Sequence, residues 1–148
     1  MAPPRTLVFL DASVLVAAAR SPSGGSALTL EVCQGLTFRA AITSTVLLEA
    51  RVNIAAKFGE EELVRYYRQL AALRPEMVRA PLEAQIRECA RLTSKKDAHV
   101  LAAALACKAG WLVTLDRKHL LTPLVLSAGL PLLAGTPGDF LRALLANP

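Results

Sequence analysis

The sequence predicts an α/β domain in which a central, mainly parallel sheet lies between layers of helices. Apolar, strand-like runs alternate along the chain with helix-like segments. The clearest of these runs, Thr6–Leu10 and Trp111–Leu115, are apolar nearly throughout, as expected for strands that helices cover on both faces. A length of 148 residues fits one domain with a full core, so we expect a single domain over 1–148.

The N-terminal part is predicted to contain two strands and two helices. Thr6–Leu10 is the first strand, and Val14–Ala19 has the composition of a helix. The segment Ser21–Ser26, rich in serine and glycine, is expected to be a loop. A helix over Ala27–Gln34, ended by a glycine, leads to the second strand, Phe38–Ile42.

Two long helices are predicted in the middle of the chain. Ser44 is a suitable N-cap for a helix that runs to about Phe58, where Gly59 ends it. The segment Glu60–Arg74 carries acids in its first turn and bases towards its end, as the helix macrodipole prefers. Pro75 then ends this second helix.

The C-terminal part continues the alternation. Ser94 and Asp97 have the spacing of a capping box at the start of a helix. The remaining predicted strands are Met77–Arg79, Trp111–Leu115 and Leu130–Leu133. The remaining predicted helices are Pro81–Leu92, Lys95–Ala109 and Pro137–Leu145.

Composition and charge restrict the class of protein. Apolar residues make up 53% of the chain and charged residues 20%, which argues against a disordered chain. The net charge of +5 suits a polyanionic partner, although charge alone favours nucleic acid only slightly. The three cysteines form no cluster of the kind that binds zinc, so free thiols in a reducing compartment are expected.

Two apolar stretches resemble membrane segments only superficially. The first contains Asp11 and Ser13, and a charge inside a spanning segment is costly. The second, Leu120–Gly138, has no formal charge, but prolines and glycines interrupt it. We therefore expect a soluble, cytoplasmic protein with no membrane association.

Four acidic residues are candidates for one metal site. Ligands of open parallel sheets bind beyond the carboxyl ends of the strands, and Asp11 and Asp116 each directly follow a strand. Asp97 lies in the first turn of a helix and Glu49 in the second turn of another, and such helices can begin near that same end. Close carboxylates repel one another unless a cation lies among them, and Mg²⁺ or Mn²⁺ suits oxygen ligands.

Each acid also has a purely structural interpretation. Asp97 alone is typical of a helix cap, and Asp11 and Asp116 could be ordinary turn residues. Glu49 shares a polar stripe with the residues four and eight positions later, which faces either solvent or a cleft. The metal-site hypothesis therefore depends on the set of acids.

The segments that carry these acids resemble the motifs of the PIN-domain family. That family includes toxin ribonucleases of bacterial toxin–antitoxin systems (the VapC group) and other RNA-processing nucleases. The resemblance covers nearly the whole chain, and its most specific segment is Lys96–Ala104. The other matching segments are Leu10–Leu15, Val46–Ala50, Leu112–Asp116 and Thr136–Leu141.

The resemblance implies a three-layer α/β/α fold and a Mg²⁺- or Mn²⁺-dependent endonuclease that acts on single-stranded RNA. Ser13 and Thr114 fall on supporting positions, where hydroxyls can orient carboxylates. The family's acidic positions, which bind metal and carry catalysis, fall on Asp11, Glu49, Asp97 and Asp116.

The resemblance also implies partners. Single-stranded RNA is the expected substrate, an antitoxin protein is expected if the chain is a toxin, and a homodimer is expected because dimers occur in the family. The helical region with Arg65, Tyr66, Tyr67 and Arg68 could bind RNA, or it could form the dimer contact.

The chain departs from the family pattern at two places. Relatives often show Asp-Pro just before the third motif, where this chain has Ser94 and Lys95. Some relatives carry a further acid after the last motif, where Arg117 and Lys118 follow here, and the loss of that acid could weaken a second metal position. Arg117 and Lys118 could instead hold substrate phosphates, or form a solvated pair.

Two other functions are compatible with the sequence. The first is a non-catalytic PIN-like module that binds RNA or protein, against which only the intact acid set argues. The second is a phosphatase or phosphoacceptor domain with Asp11 as nucleophile, but the accompanying lysine and D-x-D motifs are not found. For His99 and His119 we favour structural or surface roles over acid–base roles, although His119 follows Asp116 by three residues and could line the cleft.

Overall fold

A computed structural model describes residues 4–146 of the chain. Five parallel strands form a central sheet in the order β3-β2-β1-β4-β5. The strands are β1 (Thr6–Leu10), β2 (Phe38–Ile42), β3 (Glu76–Met77), β4 (Trp111–Val113) and β5 (Leu133–Gly135). The helices are α1 (Ala12–Arg20), α2 (Gly25–Val32), α3 (Ser44–Lys57), α4 (Glu60–Leu73), α5 (Glu83–Cys89), α6 (Lys95–Ala106), α7 (Pro123–Leu126) and α8 (Pro137–Ala146).

Helices flank the sheet in a three-layer α/β/α arrangement, which confirms the predicted fold class. Helices α1 to α4 pack on one another, and α5 packs on α6. Within residues 4–146, no helix combines the length and the apolar character that a membrane span requires.

The position of β1 explains its composition. This strand pairs with β2 on one side and with β4 on the other, so that Val8 lies between Ala40 and Trp111. Val8, Phe9 and Leu10 are fully buried because neighbouring strands and both helical layers surround them. A central parallel strand of this kind has no polar face, and the apolar run at the start of the chain reflects this.

The core is built mainly from aliphatic side chains, with few aromatic ones. Helix α6 contributes four fully or almost fully buried alanines to it, and these small side chains allow close packing. Phe38 and Trp111 pack edge-on against Phe140, at centroid distances of 5.2 and 5.3 Å. All three cysteines are free, as expected; two are buried and Cys107 is half-buried.

Several element boundaries differ from the predicted ones. The N-cap of α3 is Thr43, whose hydroxyl accepts a hydrogen bond from the Val46 amide at 3.3 Å, and Ser44 is the first helical residue. Helix α5 begins at Glu83, so Pro81 precedes the helix. Strand β5 begins at Leu133, where its pairing with Trp111 of β4 starts. The start of β5 is set by pairing with another strand, whereas the starts of α3 and α5 are marked by local caps, at Thr43 and at Leu82, whose amide donates to Gln85 Oε1 at 2.8 Å.

Candidate active site

Asp11 lies where β1 ends and α1 begins. Its backbone amide donates to the Val113 carbonyl at 3.1 Å, which continues the pairing of β1 with β4 by one residue. Its carboxylate caps α1 by accepting from the Ala12 amide at 2.9 Å. The residue is only 8% exposed, so this carboxylate is held inside the protein at the carboxyl edge of the sheet.

Two hydroxyl groups hold the other oxygen of this carboxylate. Ser13 Oγ and Thr114 Oγ1 donate to Asp11 Oδ2, at 2.8 and 2.7 Å. The same hydroxyls accept from the next turn of the chain, Ser13 from the Leu115 amide and Thr114 from the Asp116 amide, each at 3.0 Å. The ends of β1 and β4 are thereby joined through side chains as well as through the sheet.

The environment of Asp11 disfavours its negative charge. Burial raises the pKa of the Asp11 carboxyl above its usual value of 3.8, and the negative charge of nearby Glu49 adds to this rise. The hydrogen bonds from Thr114, Ser13 and the Ala12 amide oppose the rise without cancelling it. A cation close to this carboxylate would remove the disadvantage.

Asp116 and Asp97 meet beside a histidine. Asp116 Oδ1 accepts from the amides of Lys118 and His119, at 3.1 and 3.0 Å, which fixes the carboxylate after β4. Ser94, the N-cap of α6 as predicted, donates to Asp97 Oδ2 at 2.6 Å. His119 Nδ1 lies 3.4 Å from Asp97 Oδ2 and also 3.4 Å from Asp116 Oδ2.

These three side chains present their ligand atoms to a common point. One ligand atom from each of Asp97, Asp116 and His119 lies within 4.8 Å of the others, a spacing that could hold a metal ion. His119 contacts both acids, so the preference for a structural or surface role does not describe its surroundings. Its spacing of three residues from Asp116 was the available signal, and the approach of α6 was not visible in the sequence.

Glu49 reaches the same region from α3. Its side chain is 31% exposed, and its Oε1 lies 3.4 Å from Nζ of Lys96, the residue before Asp97. Glu49 and Asp11 line the same cleft, and the charge of Glu49 makes a minor contribution to the raised pKa of Asp11. Lys96 is 79% exposed and therefore compensates the charge of Glu49 only weakly.

One cleft of about 740 Å³ gathers all four predicted acids. They come from four separate segments: the end of β1, the second turn of α3, the first turn of α6 and the turn after β4. Ser13 also lines this cleft, while Thr114 is fully buried behind it. The acids in the cleft are Asp11, Glu49, Asp97 and Asp116.

The basic residues predicted to hold phosphate lie beside the cleft. Arg117 and Lys118 are exposed in the turn after Asp116, and neither is among the residues that line the cleft. Lys95 is also exposed, at the first position of α6. His99 is half-buried on α6 and does not line the cleft.

The cleft includes residues that the sequence analysis did not select. Arg20, Lys57 and Phe58 lie at the ends of α1 and α3, and all three line it. The sequence did indicate that Lys57 shares a helix face with Glu49, because it follows Glu49 by eight residues. In the structure that face lines the cleft. Arg20 follows Ser13 by seven residues, which also places both on one face of α1.

The donor set suits a hard divalent cation. Carboxylate oxygens are the ligands that Mg²⁺ and Mn²⁺ prefer, and one histidine nitrogen is compatible with Mn²⁺. The raised pKa of Asp11 comes mainly from burial of the carboxyl, with a smaller contribution from the charge of Glu49. The spacing that could hold such an ion is found at Asp97, Asp116 and His119, and Asp11 and Glu49 line the same cleft as the first two.

The fold and the acids at the carboxyl edge of its sheet place this protein among α/β domains that can bind a metal ion there. Within that class, the model of the PIN domain matches residues 7–118, more than half of the chain, and the chain belongs to the PIN-domain family. PIN domains are generally nucleases, and nucleases of this family generally use a divalent metal.

Solved structures with the same fold come from several organisms. VapBC2 from Rickettsia felis, bound to a DNA fragment from its promoter, is 19% identical, with a TM-score of 0.64, 87% of this chain covered and 98% of that one. PAE2754 from Pyrobaculum aerophilum is 18% identical, with a TM-score of 0.63 and coverage of 97% and 100%. FitAcB from Neisseria gonorrhoeae is 17% identical, with a TM-score of 0.58 and coverage of 88% and 98%. No curated protein matches the chain.

Proposed function

We propose that this protein is a metal-dependent endoribonuclease that cleaves single-stranded RNA. One observation carries the proposal: acids from four separate segments line a single open cleft in a chain of the PIN-domain family. Neighbouring hydroxyls and amides orient three of these acids, so their positions are set before any ligand binds. The proposed metal-binding and catalytic residues are Asp11, Glu49, Asp97 and Asp116.

The chemistry divides between the ion and the side chains. A bound Mg²⁺ or Mn²⁺ would neutralise charge at the phosphate and would lower the pKa of water, so that hydroxide is available as the nucleophile. Ser13 and Thr114 keep Asp11 in one orientation, as supporting groups of metal ligands do. Ser94 does the same for Asp97, and the two backbone amides do so for Asp116.

A cleavage assay tests the proposal directly. The purified protein should cut labelled single-stranded RNA with Mg²⁺ or Mn²⁺, and excess EDTA should stop the reaction. Because the metal supplies several kcal/mol of transition-state stabilisation, Asp11→Asn and Glu49→Gln should each slow cleavage by about a hundredfold or more. Glu31→Gln, which alters an exposed acid on α2, is the matched control and should cleave as the parent does.

Two outcomes contradict parts of the proposal. Cleavage by Asp11→Asn at the parental rate would show that the role given to Asp11 is wrong. RNA binding that resists EDTA, without turnover under any metal condition, would favour the non-catalytic binding module. A melting curve adds an independent measurement, since Mn²⁺ should raise Tm if it binds the native state alone.

We also propose that the chain is the toxin of a toxin–antitoxin pair and forms a homodimer. Support comes from the motif resemblance to the VapC group and from the named assemblies VapBC2 and FitAcB among structures of this fold. Apolar side chains remain exposed on α3 and α4, including Leu48, Val52, Val64 and Tyr67, and they offer area to a protein partner.

Expression in a bacterial host tests the toxin proposal. Induction should arrest growth, Glu49→Gln should relieve the arrest, and co-expression of the product of the neighbouring reading frame should suppress it. Unimpaired growth with soluble, active parent protein would contradict a toxin role. Light scattering of the purified protein tests the homodimer separately, and a monomer at micromolar concentration would contradict it.

A further inference from the structure

The cleft has two ends of opposite charge. Helices α1 and α3 pack on each other, and both begin close to the carboxyl edge of the sheet. Asp11 caps the start of α1 and Glu49 lies near the start of α3, while Arg20 and Lys57 are the last residues of the same two helices. All four side chains line the cleft, so an acidic region near the helix starts is continuous with a basic region at the helix ends.

The two basic side chains are unpaired within the described part of the chain. Neither Arg20 nor Lys57 forms an ion pair with any residue between 4 and 146. Lys96, also at the cleft, differs because its Nζ lies 3.4 Å from Glu49. Two exposed cations in a cleft, free of acidic partners, are suited to an anionic ligand.

An aromatic ring holds one of these cations. The guanidinium carbon of Arg20 lies 5.6 Å from the centroid of the Phe58 ring, within the range of a cation–π interaction. Phe58 is half-buried, so the ring is itself held by the core. Arg20 therefore loses less side-chain freedom on binding an anion than an unsupported arginine would.

The separation of the two regions sets a length for the ligand. Eight residues of α3 separate Glu49 from Lys57, or about 12 Å at 1.5 Å per residue. A stacked strand advances about 3.4 Å per nucleotide, so it covers this distance in about three to four nucleotides. A single nucleotide beside the acids cannot reach Lys57, whereas a short oligonucleotide can.

We propose that Arg20 and Lys57 bind a backbone phosphate of single-stranded RNA, a few nucleotides away from the acids, and that Phe58 positions Arg20. This inference rests on the proposed function, because it assigns to RNA the same cleft in which cleavage would occur. The scissile phosphate lies among the acids, and the remote phosphate sets the path of the strand along α1 and α3. Short RNA should consequently bind this protein less well than RNA that spans both regions.

Binding measured without cleavage tests the assignment. Fluorescence anisotropy with a labelled ten-nucleotide RNA, in EDTA and over a series of salt concentrations, gives the salt dependence of the binding constant; a gel verifies that the strand stays intact. Each lost phosphate contact should make the slope of log K against log salt shallower by about 0.7 for a single strand. Because both side chains bind the same phosphate, we expect a change of about this size for Arg20→Gln/Lys57→Gln and a smaller change for each single variant.

The matched control removes the same charge elsewhere. Arg79 and Lys108 are exposed, do not line the cleft and form no ion pair within the described chain, so Arg79→Gln with Lys108→Gln changes net charge equally. This control should retain the parental slope. Equal slopes for the cleft pair and the control pair would overturn the inference.

The role of Phe58 is tested through its coupling to Arg20. Phe58→Leu should weaken RNA binding in the parent but should have no further effect once Arg20→Gln is present. Phe58→Tyr, which keeps the aromatic face, should restore binding. A Phe58→Leu effect of equal size in both backgrounds would mean that the ring acts on stability alone and would overturn the positioning role.

The inference and the proposed function fail in different ways. Slopes that depend on Arg20 and Lys57, with no cleavage under any metal condition, support the phosphate subsite and refute the nuclease. Metal-dependent cleavage with an unchanged kcat/KM and an unchanged salt slope in Arg20→Gln/Lys57→Gln supports the nuclease and overturns the subsite. Failure of the parent to bind single-stranded RNA overturns the subsite as well.

Discussion

The hydroxyl of Thr114 donates to Asp11 Oδ2 at 2.7 Å, although 103 positions separate the two residues. Its oxygen also accepts from the Asp116 amide at 3.0 Å. Thr114 is fully buried, so one hydroxyl orients the carboxylate at the end of β1 and the turn that carries Asp116 after β4. The relative position of two candidate metal ligands thus depends on one side chain that cannot itself reach the cleft.

Replacement of this hydroxyl should weaken metal binding. Thr114→Val keeps the shape of the side chain but leaves Asp11 with one hydroxyl donor and the Asp116 amide without its acceptor. We expect Mn²⁺ affinity to fall by about 10- to 100-fold and unfolding free energy to fall by about 1–3 kcal/mol, measured by calorimetric titration and urea denaturation. Thr114→Ser retains the hydroxyl, so its Mn²⁺ affinity and unfolding free energy should be close to those of the parent. Parental Mn²⁺ affinity in Thr114→Val would contradict this role.

Stability without metal should depend on pH through Asp11. Because its pKa is higher in the folded protein than in the unfolded chain, the folded state holds this proton more tightly. The stabilising effect is complete below the unfolded value of about 3.8 and is lost as pH rises through the folded pKa. In EDTA, the unfolding free energy of the parent should therefore fall with rising pH relative to Asp11→Asn, which has no such group.

Metal should reverse this trend, because a carboxylate binds a cation only after it loses its proton. The increase in Tm on addition of Mn²⁺ should grow in the parent as pH rises from about 3.8 through the raised pKa of Asp11. Asp11→Asn should show a smaller increase at each pH. Stability curves of parent and Asp11→Asn that run parallel over the whole pH range in EDTA would contradict the elevated pKa.

Lys96 should compete with a metal ion for Glu49. Its Nζ lies 3.4 Å from Glu49 Oε1, but the lysine side chain is 79% exposed, so the pair contributes little. An exposed pair of this kind is worth about 0.2–1 kcal/mol, and Lys96→Gln should raise Mn²⁺ affinity by less than about sixfold. Lys95→Gln removes the same charge from the neighbouring exposed residue and should change the affinity less. Weaker Mn²⁺ binding by Lys96→Gln would show that Lys96 supports the site.

Gly135 should not tolerate a side chain. A methyl group there would lie 2.8 Å from Asp139 Cβ and 3.3 Å from Trp111 Cζ3. Asp139 accepts from the Thr136 amide and Thr136 Oγ1 accepts from the Asp139 amide, so the clash disturbs the reciprocal cap of α8. Gly135→Ala should lower unfolding free energy by about 1–3 kcal/mol in urea denaturation.

Gly25→Ala is the matched control for that change. A methyl group at Gly25 would meet its nearest neighbour at 3.9 Å, which is an ordinary contact. This variant should unfold within about 1 kcal/mol of the parent, because alanine is a better helix former at the start of α2. An equal fall in unfolding free energy for the two substitutions would mean that the close contacts at Gly135 do not cause the destabilisation by Gly135→Ala.

The sequence predicted a helix start correctly where a single residue fitted the local capping pattern. Ser94 is the N-cap as predicted, because this cap depends only on residues three apart: its hydroxyl accepts from the Asp97 amide at 3.3 Å. The Asp97 carboxylate accepts from that same hydroxyl and not from the Ser94 amide, as the second bond of a capping box would require. For α3 the predicted cap, Ser44, was wrong by one residue, since Thr43 is the cap. The end of β2 at Ile42 placed Thr43 in the extended conformation that a cap requires, which local pattern could not reveal.

The bounds of strand β5 also could not be predicted from local sequence. The apolar segment from 130 to 133 suggested a strand, yet the paired residues are Leu133, Ala134 and Gly135. Their register against Trp111 and Val113 decides the boundary, since a short edge strand exists only where its backbone meets a partner. Local apolar character indicated the region but not the pairing.

The sequence by itself determined the layered α/β class, the family, and two acids at strand ends, because these follow from periodicity and from short motifs within single elements. Only the tertiary structure decided that Glu49 and Asp97 face the same cleft as Asp11 and Asp116, that Thr114 joins two of them, and that His119 contacts two of them. The physical reason is that these relationships depend on how helices pack against a twisted sheet. This packing brings together segments that are far apart in sequence. The spacing of residues within one segment does not predict which other segment it will contact.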